Sequence, residues 1–281
     1  MEIIRKEINI KKRSEQVYIL PIGDIHLGNK FVDMEKLKKL IQFIKDTPNY
    51  YWLGMGDYCE CINFSDIRFD PFFIADWCQD HLDDLPKIQA QYFCDLFSPI
   101  RHRCLGLLAG NHEDLIRRKY HQDTMGYICT TLSLPCLSTQ AIINVVFKRC
   151  KQRKLLRIFA MHGYGGTRTE TASLGKIIKK GNEFEADIYL MGHDHFKISH
   201  IKILITSNLS LEPIGVECKR IFAVTGTFLK IYNKSEKSSY AERMSYPPVI
   251  SGCLRITVEP FRRLHIGNKF IELPPHIHIS E

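Results

Sequence analysis

The chain has 281 residues, 44% of them hydrophobic and 25% charged, and a formal net charge of +8. That length and balance suit a globular protein with a sizeable core and exclude a disordered or fibrous chain. The opening "MEIIRKEINIKKR" lacks the continuous apolar run of a signal peptide, and no stretch reaches the ~18 apolar residues of a membrane span. The expectation is a cytoplasmic protein with no membrane partner, folded as a single domain over 1–281.

In chain order, "QVYILPIG" reads as a strand bounded by Gly. "VDMEKLKKLIQFIKDTP" follows, with Leu37, Leu40, Ile41 and Ile44 at helical spacing, Asp33 as N-cap and Pro48 past the end. "YYWLGMG" is the next strand, so the chain opens with a strand–helix–strand unit, which points to an α/β fold. The stretch from Tyr58 to Ile100 reads as a mostly helical excursion, with Pro71 and Pro86 as punctuation. Its aromatics (Phe64, Phe69, Phe72, Phe73, Trp77) are expected to fill the core of that lobe rather than to wall a pocket or stack a base.

"CLGLLAG" is a strand, and "EDLIRRKY" begins a helix directly after Asn111-His112. "AIINVVF" and "LLRIFAMHG" are strands, and the "KRCKQRK" between them (Lys148 to Lys154) reads as a solvated hairpin turn rather than a nucleic-acid contact. "SLGKIIKKGN" is a helix stopped at Gly181, and "ADIYLMG" is another strand. After His195 the chain is strand-rich: "KISHIKILITS", "RIFAVTGTFL", "GCLRITVEP" and "LHIGNKFIEL". The ten cysteines are scattered from Cys59 to Cys253 without a C-x-x-C pair and read as reduced thiols. Cys59 and Cys61 do not by themselves supply the four clustered ligands of a structural zinc site.

The strand ends carry the signal. "PIGDIHLG", "GMGDYCE", "LAGNHED", "FAMHGYGG" and "LMGHDHF" each release Asp, Asn or His as an apolar strand stops. Ends of neighbouring strands in an α/β sheet converge on the edge where ligands bind. Asp24, His26, Asp57, Asn111, His112, His162, His193 and His195 should therefore meet. Imidazole nitrogens with carboxylate and amide oxygens suit divalent transition ions, and so many donors suit two ions about 3.5–4 Å apart rather than one. Two dications that close need a bridging carboxylate, and Asp57 is the natural bridge.

The series D-x-H (24–26), G-D (56–57), G-N-H-E (110–113), H-G (162–163) and G-H-x-H (192–195) resembles the calcineurin-like metallophosphoesterase superfamily. The tail "TFLKIYNKSEKSSYAERMSYPP" is also similar to a prokaryotic and viral branch of it, on a less specific match. The resemblance implies a four-layer sandwich in which two mixed β-sheets are flanked by helices. It implies that Asp24, His26 and His195 hold one ion, that Asn111, His162 and His193 hold the other, and that Asp57 is shared. His112 is then not a ligand but a proton donor to the leaving oxygen, kept charged by the anionic substrate and by Glu113 or Asp114.

The reaction expected from this is phosphoester hydrolysis by a hydroxide bridging two divalent ions, with Mn first and Fe, Zn, Co or Ni as alternatives. A diester of nucleotide or nucleic-acid type is preferred to a monoester, and a metal-stabilised scaffold without turnover is the competing class. The glycines of "HGYGGTRT", Arg168 and the helix start after it could cradle a phosphate, or form a plain surface loop. The remaining histidines (His81, His102, His121, His200, His265, His276, His278) read as structural.

Overall fold

The structure is a computed structural model of the chain and describes residues 1–207, 215–232, 238, 240–266 and 269–280. Residues 208–214, 233–237, 239, 267, 268 and 281, among them parts of the tail segment and of "LHIGNKFIEL", lie outside the described residues. The strands are β1 (Glu2–Asn9), β2 (Val17–Ile22), β3 (Tyr50–Gly54), β4 (Cys104–Leu107), β5 (Gln140–Arg149), β6 (Gln152–Met161), β7 (Ile188–Met191), β8 (Lys197–Ser207), β9 (Gly215–Thr227), β10 (Gly252–Cys253), β11 (Arg255–Glu259), β12 (Arg262–Ile266), β13 (Lys269–Leu273) and β14 (His276–Ser280). The longer helices are α1 (Met34–Asp46), α2 (Leu85–Phe97), α3 (Asn111–Tyr120), α4 (Thr124–Leu132) and α5 (Glu170–Lys180).

Two mixed sheets result. One has five strands in the order β14-β11-β2-β3-β4, and the other has seven, β1-β5-β6-β7-β9-β10 with β8 on β9. Strand residues alternate faces, and the alternation assigns each side chain to a layer. Ile19, Leu53, Ile158 and Leu190 point into the core between the sheets, a cluster that draws on residues from Ile8 to Ile279. Their neighbours Leu20 and Trp52 point outward, onto Leu37, Ile41 and Ile44 of α1 and onto α2 and α4. On the other side Phe159 and Tyr189 meet Ile177 of α5. The layers are therefore helix, sheet, sheet, helix, the sandwich expected.

Helix α1 forms where its pattern placed it, with the Asp33 carboxylate accepting from the Lys36 amide at 3.3 Å. The basic run at 148–154 straddles the β5–β6 hairpin, with Cys150 and Lys151 forming the turn between the paired Arg149 and Gln152. Strand β1 was not foreseen. It is an edge strand on β5 with only Ile8 buried, so its sequence shows no apolar face. The stretch 58–100 contains α2 and three short 3₁₀ segments (71–73, 76–81 and 98–103), and 58–70 is irregular. There the main chain pairs with the β2–α1 loop (Leu27 N to Tyr58 O, 2.9 Å; Glu60 N to Leu27 O, 2.8 Å). Asn63 and Asp66 then accept from the amides of Ser65 and Arg68, which favours turns over helix.

Candidate metal centre

Strands β2, β3 and β4 run parallel to one another, as do β6 and β7, so the C-terminal ends of each set share a rim. The two sheets meet there through side chains of the site itself. His162 Nδ1 donates to the Met55 carbonyl at 2.8 Å, and the His193 amide donates to both Asp24 carboxylate oxygens at 2.9 and 3.0 Å.

The backbone at this rim is unusual. Asp24, His26, Asp57, His193 and His195 all take left-handed conformations, with φ between 47° and 69°. Such conformations cost of order 1–3 kcal/mol each and persist where surrounding contacts over-determine them. Here those contacts are visible. The amides of Asp24, Ile25 and His26 bond to carbonyls of Gly56 and Asp57, and the Thr227 hydroxyl donates to the Asp24 carbonyl at 2.7 Å. Gly110 is required for a different reason, since a Cβ there would lie 2.1 Å from the Asp57 carboxylate.

The side chains form two donor sets. Asp24, His26 and His195 present ligand atoms within 4.8 Å of one another, and so do Asp57, His162 and His193. In the first set the Nε2 atoms of His26 and His195 converge to 3.1 Å, with Asp24 Oδ1 3.6 Å from His195 Nε2. In the second, Asp57 Oδ2 and Asn111 Oδ1 lie 3.2 and 2.9 Å from His162 Nε2. A third cluster, His26, Glu60 and His112, also falls within 4.8 Å, but Glu60 engages the far side of the His26 ring. Its carboxylate accepts from His26 Nδ1 at 2.8 Å and from Asn29 Nδ2 at 3.2 Å, which turns His26 Nε2 toward His195.

The electrostatics fit cations. Asp24, His26, Asp57 and His162 are each less than 5% exposed. Burial lifts the Asp24 carboxyl to about 7, the Asp57 charge adding to it. His26 and His162 are raised as well: burial opposes their charge, but Glu60 with Asp57 and Asp24 outweighs it at His26 and Asp57 with Asp24 outweighs it at His162, lifting them to about 9 and about 10. His193 and His195 are held neutral, His193 at about 4, by burial first and then by the neighbouring charged imidazoles. Buried carboxylates that force protons onto adjacent imidazoles mark a place built to receive positive charge, and the oxygen and imidazole donors suit divalent transition ions.

His112 lies beside the two sets. Its Nδ1 donates to the Glu60 carbonyl, its Nε2 accepts from Arg68 Nη1 at 3.3 Å, and Nε2 is 4.0 Å from Asp57 Oδ2. The ring is therefore neutral, in keeping with burial lowering its pKa. Neither acid expected to keep it charged reaches it. Glu113 is committed to four amides, those of Asp57, Tyr58, Cys59 and Gly110, at 2.7 to 3.2 Å, and so braces the β3 turn. Asp114 pairs with Arg117 and Arg118 on the α3 surface.

A cavity of about 300 Å³ opens over the rim, lined by His26, Asp57, Asn111, His112, His193 and His195 among others. Arg168 is exposed on the loop before α5 and is not among the lining residues, whereas Gly166 and Thr167 of that loop are. The guanidinium that does line the cavity is Arg68, which no sequence motif marked. Asp66 grips it from the side, accepting from Nε at 3.0 Å and Nη2 at 2.8 Å, and the arginine holds that carboxyl at about 2. Phe73 also lines the cavity, contrary to the expected core role, while Phe64 is 74% exposed. Cys59 and Cys61 are buried thiols whose pKa values are raised, Cys59 by burial and Cys61 by its hydrogen bond to Cys59, so they remain protonated.

Asp194, between the two histidines of G-H-x-H, was also not foreseen. Its buried carboxylate accepts from Ser173 Oγ at 2.7 Å, Lys176 Nζ at 2.9 Å and Thr167 Oγ1 at 3.2 Å. It thereby anchors the turn that carries His193 and His195 to α5.

No curated protein matches the chain. A crystal structure from Streptococcus pneumoniae TIGR4, of an uncharacterised protein described as a predicted phosphoesterase, overlaps with a TM-score of 0.34 at 12% identity, covering 95% of this chain and 99% of that one. A metallophosphoesterase from Sphaerobacter thermophilus overlaps with a TM-score of 0.37 at 11% identity, covering 94% and 89%. At that overlap neither adds to what the chain's own geometry shows. The family model for calcineurin-like phosphoesterases matches residues 17–197, well over half of the chain and the whole span of the five motifs. The chain belongs to the calcineurin-like phosphoesterases, a family of metal-dependent phosphoesterases.

Proposed function

We propose that the protein hydrolyses phosphodiesters of nucleotide type with two divalent ions, manganese first among them. The observation that carries this reading is the convergence of Asp24, His26 and His195 on one side and Asn111, His162 and His193 on the other, with Asp57 in the second group and near enough to His26 and His195 to favour their charged forms. The first three side chains would hold one ion, the second three the other, and Asp57 would be shared. Bound there, such ions supply Lewis acidity to the phosphoryl oxygens and activate the attacking water.

The chain's own residues do the rest. Glu60 and the Met55 carbonyl accept hydrogen bonds from Nδ1–H of His26 and His162, which leaves each Nε2 available as a ligand. Arg68, its orientation set by Asp66, presents Nη1 to a phosphoryl oxygen. His112 Nε2 carries no proton in the resting ring; it would take one from solvent beside the anionic phosphoryl group and pass it to the leaving oxygen. The net charge of +8 favours an anionic substrate. Ten free cysteines, six of them buried, support a reducing, cytoplasmic setting.

The test is hydrolysis of bis-p-nitrophenyl phosphate and p-nitrophenyl phosphate by the Mn-loaded protein. Faster turnover of the diester is expected. Preference for the monoester would move the reading to a phosphomonoesterase, and no turnover of either with ions bound would make the protein a scaffold.

A further inference from the structure

The metal-ligand rim lies within the family-matching stretch 17–197, but part of the cavity above it does not. Leu229, Ile231, Tyr246 and Val249 line that cavity from beyond residue 197, facing it together with Phe31 and Phe73. Main-chain bonds hold this apolar surface in place. The Lys230 amide donates to the Phe31 carbonyl at 3.0 Å, the Lys30 amide donates to the Phe73 carbonyl at 2.7 Å, and Leu229 bridges Val32. The rings of Phe31 and Phe73 lie 5.7 Å apart. On the other side the Tyr232 hydroxyl donates to the Tyr246 carbonyl at 2.7 Å. Tyr246 sits so close to the loop after β6 that a Cβ on Gly166 would come within 2.8 Å of its hydroxyl.

Except for Ile231, these side chains are half-buried. They are fixed by backbone contacts yet keep apolar surface turned to the cavity, beside buried carboxylates, imidazoles and Arg68. A concave apolar wall next to a few convergent polar groups is the make-up of a small-ligand site. Its volume of about 300 Å³ is at the small end of such sites, which run from roughly 300 to 1,000 Å³. A free phosphate would leave the wall wet, and a flat apolar ester group would cover it.

Resting on the phosphoesterase reading above, we propose that these residues form a subsite for the ester group, so that the substrate is a small phosphoester carrying a flat aromatic substituent of about nucleobase size. Phe31 and Phe73 supply one side and Tyr246 and Val249 the other, while Arg68 and the rim take the phosphoryl group. Specificity is then shared between Phe31 and Phe73 and residues after 197, which lie outside the part that the family model matches.

The experiment compares two non-hydrolysable ligands with the same acidic head group, phenylphosphonate and methylphosphonate, by calorimetric titration of the Mn-loaded protein. Aromatic stacking is worth roughly 5- to 150-fold in affinity, so wild type should prefer the phenyl compound by about 10-fold or more. Phe73→Ala and Tyr246→Ala should erase most of that preference with methylphosphonate affinity and manganese content unchanged. Val249→Ser serves if either fails to fold. Equal binding of the two ligands by wild type would overturn the subsite and leave the phosphoesterase reading standing. So would a preference that survives in the variants. If wild type with manganese bound takes up neither phosphonate, both readings fall.

Discussion

The rim that carries the metal-type donors and the wall that faces it are built in opposite ways. The rim concentrates cost: five left-handed non-glycine residues, buried carboxylates and imidazoles forced to take protons. The wall has ordinary apolar side chains held by main-chain hydrogen bonds. A strained, charged rim is stable only if its contacts and a bound cation offset the cost, so small changes there should be severe. The wall can lose a side chain and lose only affinity.

The largest effect should come from Asp57→Asn. It removes the carboxylate placed next to both donor sets, and both metal content, by elemental analysis, and turnover should collapse. Retained metal and turnover would make the rim no more demanding than the wall. His112→Asn should come next, with turnover lower by on the order of 10²- to 10⁴-fold and metal content unchanged. Loss of metal instead would place His112 among the ligands. Glu60→Gln touches no donor atom directly but loosens the His26 ring, and affinity for one ion should drop by about 10- to 100-fold, read from metal titration.

The smallest and most diffuse effect concerns pH. In metal-free protein His26 and His162 have folded-state pKa values raised to about 9 and about 10, above the ordinary value of about 6.5. A raised pKa stabilises the fold fully below the unfolded value, and that contribution is lost as pH rises through the folded value. Thermal stability in a chelator should therefore decline from about pH 7 to 10, and divalent ions should remove the decline by taking the protons' place. A flat profile without metal would mean that the rim is not charged as described.

The same contrast explains what could be read from the sequence. The donor residues were legible because each stands at the end of an apolar strand, and strand ends gather at a rim whichever sheet they belong to. The two sheets were not separable by strand pattern alone, and β1 gave no sign because both its faces carry charge, Glu2 and Lys6 on the side of Ile8 and Arg5 and Glu7 on the other. Glu60, Glu113 and Asp194 act through a ring, a set of amides and a helix, so their roles depend on which neighbours the fold brings. Arg68 was invisible because an Asp66 turn, not a motif, aims it, whereas Arg168 offered itself through the glycines of its loop and the helix start that follows. The excursion expected to be mostly helical departs from that over 58–70, where Asn63 and Asp66 close turns on the amides of Ser65 and Arg68.

The central claim is a pair of ions held by donors from both sheets, with Asp57 common to the two. Anomalous X-ray scattering from crystals of the manganese-loaded protein tests it most directly. Two peaks about 3.5–4 Å apart are expected, one touching Asp24, His26 and His195, the other Asn111, His162 and His193, and both touching Asp57. A single peak, or peaks away from these side chains, would contradict it.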